Sequence, residues 1–238
     1  MLFRQRSYQK EILDQRGIPF NDIKQVMKEL DVVNQWLGGH NTTLKGIKHL
    51  VQKSRKKIEL LRVTEIGCGG GDNLRVIKNW AEKNSIAIEL TGIDINPECV
   101  EFATKHPDNK GIHFICSDYK AVSFEILPHV IFSSLFCHHF TDQELVEMLK
   151  WLQQNSTIGF FINDLHRHPF AYYSIMALTK IFSKSYLVKN DGPLSVKRAF
   201  VKHDWAALFV KAGISNYECT WQWAFRWLVT CSNNATAK

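Results

Sequence analysis

The 238-residue chain has little of what marks the specialised classes of protein. Thirteen glycines and six prolines are too few for a fibrous or low-complexity chain, and no internal repeat stands out. The six cysteines (Cys68, Cys99, Cys116, Cys137, Cys219, Cys231) form no CxxC pair and sit mostly in apolar runs. That excludes a zinc knuckle or disulfide scaffold and reads as reduced thiols. The most apolar stretch, residues 169–182, falls short of the ~20 residues a bilayer-spanning helix needs and contains Lys180, so no membrane span is expected. Residues 1–10 lack the apolar segment of a signal peptide, and a cytoplasmic protein is the expectation.

What is present is an ordinary globular composition, 45% hydrophobic and 22% charged, enough for one elaborated domain with a full core. The net charge is +7, but it is local. Residues 45–62 carry seven cations (Lys45, Lys48, Lys53, Arg55, Lys56, Lys57, Arg62) against Glu59, and the remainder is nearly neutral. A solvated helix face is the plain reading; an RNA-guiding arm is the alternative.

Two textures divide the chain. The first sixty residues are helical in pattern: Ile23, Val26, Met27, Leu30, Val33 and Leu37 recur at helical spacing up to Gly38-Gly39, and Leu44, Ile47, Leu50 and Val51 follow after 41–43. From residue 63, short apolar runs (63–66, 86–95, 112–116, 130–136, 158–163) alternate with amphipathic stretches (74–83, 97–104, 142–153). This alternation predicts a parallel sheet covered on both faces. Thr141 followed by Glu144 is a capping box for the last of these helices. An aromatic-rich insertion occupies 164–203. Residues 204–212 read as a helix, and 214–221 with 223–231 as a closing antiparallel hairpin, the latter run being equally compatible with helix.

The chemistry begins at 63–74, Val-Thr-Glu-Ile-Gly-Cys-Gly-Gly-Gly-Asp-Asn-Leu. Clustered glycines between strand and helix let the backbone approach a ligand at the carboxyl edge of the sheet. A dinucleotide fingerprint would place its third glycine at 72, where Asp72 would repel a pyrophosphate. Glu65 ahead of the glycines suits a cationic or zwitterionic ligand instead. Asp94 ends the next strand about 20 residues past the last glycine, the position from which a carboxylate accepts ribose hydroxyls. Asp118 ends the third strand, placed to accept from an adenine amine.

This ordered set resembles the class I S-adenosylmethionine-dependent methyltransferases, over roughly residues 63–163. Glu65 to Gly71 look like the glycine motif, Asp94 like the ribose acid, Asp118 like the adenine acid and 133–142 like the strand-four motif. The resemblance implies a Rossmann-like α/β fold with a seven-stranded, mostly parallel sheet and helices on both faces. It also implies a helical N-terminal arm or lid over 1–62, a core over 63–238, and an acceptor-pocket lid inserted at 165–203. The cofactor implied is S-adenosylmethionine, held by Glu65, Gly67, Cys68, Gly69, Gly71, Asn73, Asp94, Ile95, Ser117, Asp118, Tyr119 and Ser134. Residues 36–39, 163–169 and 192–200 are similar to bacterial methyltransferases of phenolic polyketide or quinone-like acceptors.

Methyl transfer to an oxygen requires loss of a proton, and His139, His166 and His138 follow strands four and five at the cofactor's edge. His139 or His166 is the expected base. Nothing fixes a metal-ligand set, so no metal is expected. Phe160, Phe161, Phe170, Tyr172, Tyr173, Phe182 and Tyr186 suggest a roof over an aromatic or lipid-like small-molecule acceptor, with a homodimer face as the other use of such a surface. Nucleic acid is disfavoured, and a non-catalytic cofactor-binding subunit is the remaining alternative.

Overall fold

A computed structural model describes residues 3–15, 17–54 and 58–233. Arg55, Lys56 and Lys57 of the basic segment and residues 234–238 lie outside the described residues. In chain order the elements are α1 (Phe20–Trp36), α2 (Gly39–Lys53), β1 (Leu61–Ile66), α3 (Asp72–Lys83), β2 (Ile88–Asp94), α4 (Pro97–Lys105) and β3 (Ile112–Cys116). There follow β4 (Val130–Ser134), α5 (Asp142–Asn155), β5 (Gly159–Leu165), α6 (Pro169–Phe182), α7 (Tyr186–Arg198), α8 (Lys202–Ala212), β6 (Tyr217–Gln222) and β7 (Arg226–Ser232).

The sheet order is β3-β2-β1-β4-β5-β7-β6, parallel through β5, with β7 antiparallel to both β5 and β6. The order reverses between β1 and β4, which opens a ligand crevice at their carboxyl ends. Strict alternation sends Val63, Phe132, Phe161 and Leu228 to one face, under Ile47 and Leu50 of α2 and Leu74 and Ile77 of α3. Ile131, Phe160, Ile162 and Val229 go to the other, under α5 and α8. The expected fold class is thereby observed, and residues 226–232 are strand rather than helix. Gly46 lets α2 settle onto β5, since a Cβ there would lie 2.5 Å from the Phe161 ring. Thr141 and Glu144 form the expected capping box, with the Thr141 N–H donating to Glu144 at 2.8 Å.

The first α-helix starts at Phe20, directly after Pro19, where the helical spacing of apolar residues also starts. Residues 3–11 run without helix, and 12–14 form a single 3-10 turn. The reason is that this segment's polar groups find partners on the core. Arg6 donates to the carbonyls of Arg198 and Phe140 and pairs with Asp142 at 2.6 Å, and Asp191 of α7 accepts the N–H groups of Ile12 and Leu13, both at 2.9 Å. The segment is a strap tied across α7. No helix among the described residues is long and apolar enough to cross a membrane.

Candidate active site

At the carboxyl edge, Glu65 pairs in register with Gly92, and Asp94 with Cys116, so three strand ends present their loops side by side. The turn after β1 is forced by packing: Gly67 has φ +67°, and a Cβ on it would lie 2.3 Å from the Phe136 ring. Asp94 is partly exposed and accepts from the N–H groups of Gly69 (2.8 Å) and Asn96 (2.9 Å). Burial nonetheless raises its pKa above the usual carboxylate value. Asp118 is exposed, caps the following turn through Lys120 N–H, and stands beside the half-buried Ser117. Ile95 is 70% exposed at the end of β2, an uncovered apolar surface beside two acids.

Glu65 is buried. Its Oε1 accepts from Asn73 at 3.2 Å, while its Oε2 has no hydrogen-bond partner among the described residues. Burial first, then the charges of Asp72 and Asp94, push its pKa well above the ordinary value. A buried, half-satisfied carboxyl beside a glycine loop fits a cationic ligand group, which would return it to the ionised form. A Cβ on Gly69 would meet nothing within 4 Å, so the loop is open on that side. These residues fit the sulfonium nucleoside implied by the sequence.

Four of the expected cofactor contacts hold the site from behind. Cys68 is buried against Gly92, its thiol pKa raised by burial, which makes it filler. Tyr119 turns its ring into the core against Phe136 and Trp151, because the Asp118 cap closes a tight turn at that point. Asn73 has both ends of its amide occupied, by Glu65 and by Thr43 Oγ1 at 2.9 Å. Ser134 accepts from Asn163 Nδ2 at 3.3 Å; Asn163 also donates to Thr43 and the Gly39 carbonyl. This buried chain of hydrogen bonds fastens α2 to the ends of β1, β4 and β5. Asp72 belongs to the same fastening: it accepts from Asn34 and pairs with His40 at 2.9 Å.

Beside the Leu135 turn, at φ +51°, lies an apolar cavity of about 330 Å³. Val26, Leu30, Val33 and Leu37 of α1 form one wall, and Ala171, Ser174, Ile175, Leu178 and Thr179 of α6 another. The strap supplies Glu11 and Leu13, the β6–β7 turn Trp223 and Phe225, and the end of β4 His138 and His139. The aromatic roof is thus largely a misassignment. Phe160 and Phe161 are sheet core, and Tyr173, Ile181, Phe182 and Tyr186 face outward; only Phe170 of that set lines the cavity. The stripe 171, 174, 175, 178, 179 is the face α6 turns inward, and it is aliphatic and hydroxylic.

Two histidine–carboxylate pairs stand in the cavity wall. His138 is buried, with Nδ1 2.8 Å from Asp164 Oδ1, its backbone N–H also donating to Asp164, and Nε2 3.8 Å from Glu11. Burial would raise the Asp164 pKa, but the hydrogen bonds it accepts from His138 and the Leu165 N–H help bring it below the usual carboxylate value. His139 places Nδ1 2.8 Å from Asp14 Oδ1. Burial alone would lower His139, but the Asp14 hydrogen bond and the Glu11 and Asp14 charges outweigh it and raise its pKa. Arg198 clamps the pair by donating to the carbonyls of both histidines. His166 stands apart. Its ring packs against Trp227 and His168, it does not line the cavity, and burial with the neighbouring His168 and Arg167 brings its pKa to about 4.

Glu11, Asp14 and Arg198 were not legible as site residues, because only the strap's path brings them to His138 and His139. Glu11, His138 and His139 do offer three ligand atoms within 4.8 Å of one another, but Arg198 Nε lies 3.7 Å from Glu11 and occupies the role of counterion. In the basic segment, Lys45 donates to Gln222 and Lys53 pairs with Glu218 on the edge strand β6, and Arg62 pairs with Glu89 of β2, so these cations are engaged.

The family model for a methyltransferase domain matches residues 63–179. No curated protein sequence matches the chain. Among solved structures the chain is similar to the plantazolicin methyltransferase BpumL in complex with SAH, at 18% identity over 90% of this chain and 99% of that chain, with TM-score 0.65. It is also similar to human N-acetylserotonin methyltransferase in complex with SAM (14%, 91% and 56%, 0.63) and to the CMeT domain of a citrinin polyketide synthase (12%, 79% and 50%, 0.55). At these identities the structures speak for the fold. The family match, by contrast, falls on the stretch that holds the glycine loop and the acidic strand ends, and together with the methyltransferase neighbours it supports S-adenosylmethionine-dependent methylation.

Proposed function

We propose that the chain methylates a hydroxyl of a small, largely apolar acceptor seated in the 330 Å³ cavity. The observation that supports this most is the composition of that cavity: aliphatic walls from α1 and α6, with two histidine–carboxylate pairs among its polar groups. Glu65, Gly67, Gly69, Asp94, Ile95, Ser117 and Asp118 are the cofactor's binding edge, and the arm, strap and insertion enclose the acceptor.

When bound, the cofactor supplies a methyl group on a sulfonium that is already a good leaving group. Holding the acceptor in line therefore accounts for most of the acceleration asked of the protein. What an oxygen acceptor adds is a proton to remove. Asp164, ionised, accepts the proton on His138 Nδ1 and leaves the Nε2 lone pair toward Glu11 and the cavity. His138 is thus the base, and Glu11 stabilises the imidazolium it becomes. This moves the assignment from His139 or His166 to the residue whose ring is fixed by a buried carboxylate.

The test is product analysis on a panel of matched phenols, anilines and single-stranded RNA with labelled S-adenosylmethionine. Label on phenolic oxygen, lost in His138→Ala with S-adenosylhomocysteine binding intact, is the expected result. Label on nitrogen or RNA, or a phenol reaction indifferent to His138→Ala, overturns the reading.

A further inference from the structure

Arg226, the first residue of β7, is 2% exposed and contributes to the cavity wall. Its Nη2 donates to Asn34 Oδ1 at 2.8 Å and its Nη1 to Asn163 Oδ1 at 3.4 Å, both neutral amides. Its Nε has no hydrogen-bond partner, and no carboxylate lies within 4.0 Å of the guanidinium, among the described residues. The nearest acids are already claimed: Asp164 by His138, and Asp72 by His40 and Asn34. Burial brings the Arg226 pKa to about 10, and it is still a cation at neutral pH.

A buried charge with only amide partners is unfavourable, and an arginine offers five donors in a planar fork that matches a carboxylate. No other lysine or arginine lines the cavity among the described residues; its remaining ionisable lining groups are Glu11, Asp191, His138 and His139. The surrounding lining, Leu37, Leu135, Leu165 and Phe225, offers an anion no competing water shell. We propose that Arg226 is the receptor for a ligand carboxylate at the cavity wall, one half of an ion pair that the ligand completes. The carboxylate comes either from the amino-acid end of the cofactor or from an acidic acceptor; the second source rests on the acceptor reading above.

Two matched pairs of probes separate the sources, each read by calorimetry on wild type and Arg226→Gln. One is S-adenosylhomocysteine against its descarboxy analogue. The other, with S-adenosylhomocysteine saturating, is 2-naphthoate against its methyl ester. A charge-assisted fork predicts a preference of about tenfold or more for the acid in one pair, falling to about unity in Arg226→Gln, with the uncharged member's affinity held within about threefold. Preference in the first pair assigns the carboxylate to the cofactor, in the second to the acceptor. No acid preference in wild type, or a preference that survives Arg226→Gln, overturns the proposal. If Arg226→Gln does not fold, the Arg226 Nε–H resonance in the wild-type protein decides: it moves on adding the preferred acid and not on adding its neutral partner, and an unmoved resonance overturns the proposal. Failure of the acceptor reading looks different, since neither naphthoate nor its ester then binds.

Discussion

Asp164→Asn is the sharpest perturbation of the proposed base, because it changes charge while nearly keeping shape. The Asp164 carboxylate accepts three hydrogen bonds: His138 Nδ1 at 2.8 Å, His138 N at 3.2 Å and Leu165 N at 2.7 Å. All three donors are fixed, so an asparagine presents its amide NH₂ to at least one N–H. Replacing charge-assisted bonds of ~1.5–3 kcal/mol by neutral ones of ~0.5–1.5, and leaving a buried donor unmatched, costs about 2–4 kcal/mol of stability. Asp164 has a lowered pKa in the fold, so its contribution is present above its ordinary value near 3.8 and is lost only as pH falls toward the folded value. The deficit is therefore constant from pH 6 to 8, where the assay runs. With the imidazole no longer held in the productive tautomer, kcat falls by about 10²–10⁴. His138→Gln falls by a similar factor and the double variant by little more, because the two residues act as a unit. The assay is single-turnover methyl transfer to the phenol of the panel that reacts fastest, with urea unfolding and S-adenosylhomocysteine calorimetry as controls. A kcat within about threefold of wild type, with cofactor affinity unchanged, refutes the assignment of His138 and Asp164.

The raised pKa of His139 means that its pairing with Asp14 stabilises the fold below pH 6.5 and that this contribution is lost as pH rises through the folded value; the urea midpoints of wild type and His139→Gln converge between pH 6 and 9. With its pKa at about 4, His166 is neutral throughout that range, so His166→Gln leaves the pH dependence of kcat/KM unchanged above pH 6. Glu65→Gln keeps the Asn73 hydrogen bond but loses the ionisable oxygen; S-adenosylmethionine binding weakens by about tenfold and no longer strengthens between pH 5 and 7, as wild-type binding does when a cation draws the raised carboxyl into its charged form. Gly46→Ala drives a methyl to within 2.5 Å of the buried Phe161 ring and lowers stability by about 1–3 kcal/mol, read as a fall in thermal midpoint.

Much of the core architecture was legible because local rules agree with the fold. The β1 loop is glycine-rich, Asp94 ends β2, Asp118 follows two residues after β3, and the Thr141–Glu144 box starts α5 where its pattern says it does. The insertion misled because aromaticity was taken for direction. In α6 Tyr173 and Phe182 face outward, and Phe170 with the residues at 171, 174, 175, 178 and 179 lines the cavity. The contact of His138 with a buried acid was not legible, because sequence order says nothing about which ring meets which carboxylate; Asp164 is 26 residues away and Glu11 lies 127 residues before His138.

The glycine turn and the acids at the strand ends were legible in the sequence by itself, since they follow one another along the chain and need only the strands to form. Tertiary structure alone decided the cavity and its histidine–carboxylate pairs. Glu11 from the strap, His138 after β4, Asp164 in β5 and Arg226 in β7 have no spacing in common and meet because Asp191, Arg198 and Asn163 fix the elements that carry them. Long-range hydrogen bonds of that kind depend on where the chain returns, which no local pattern encodes.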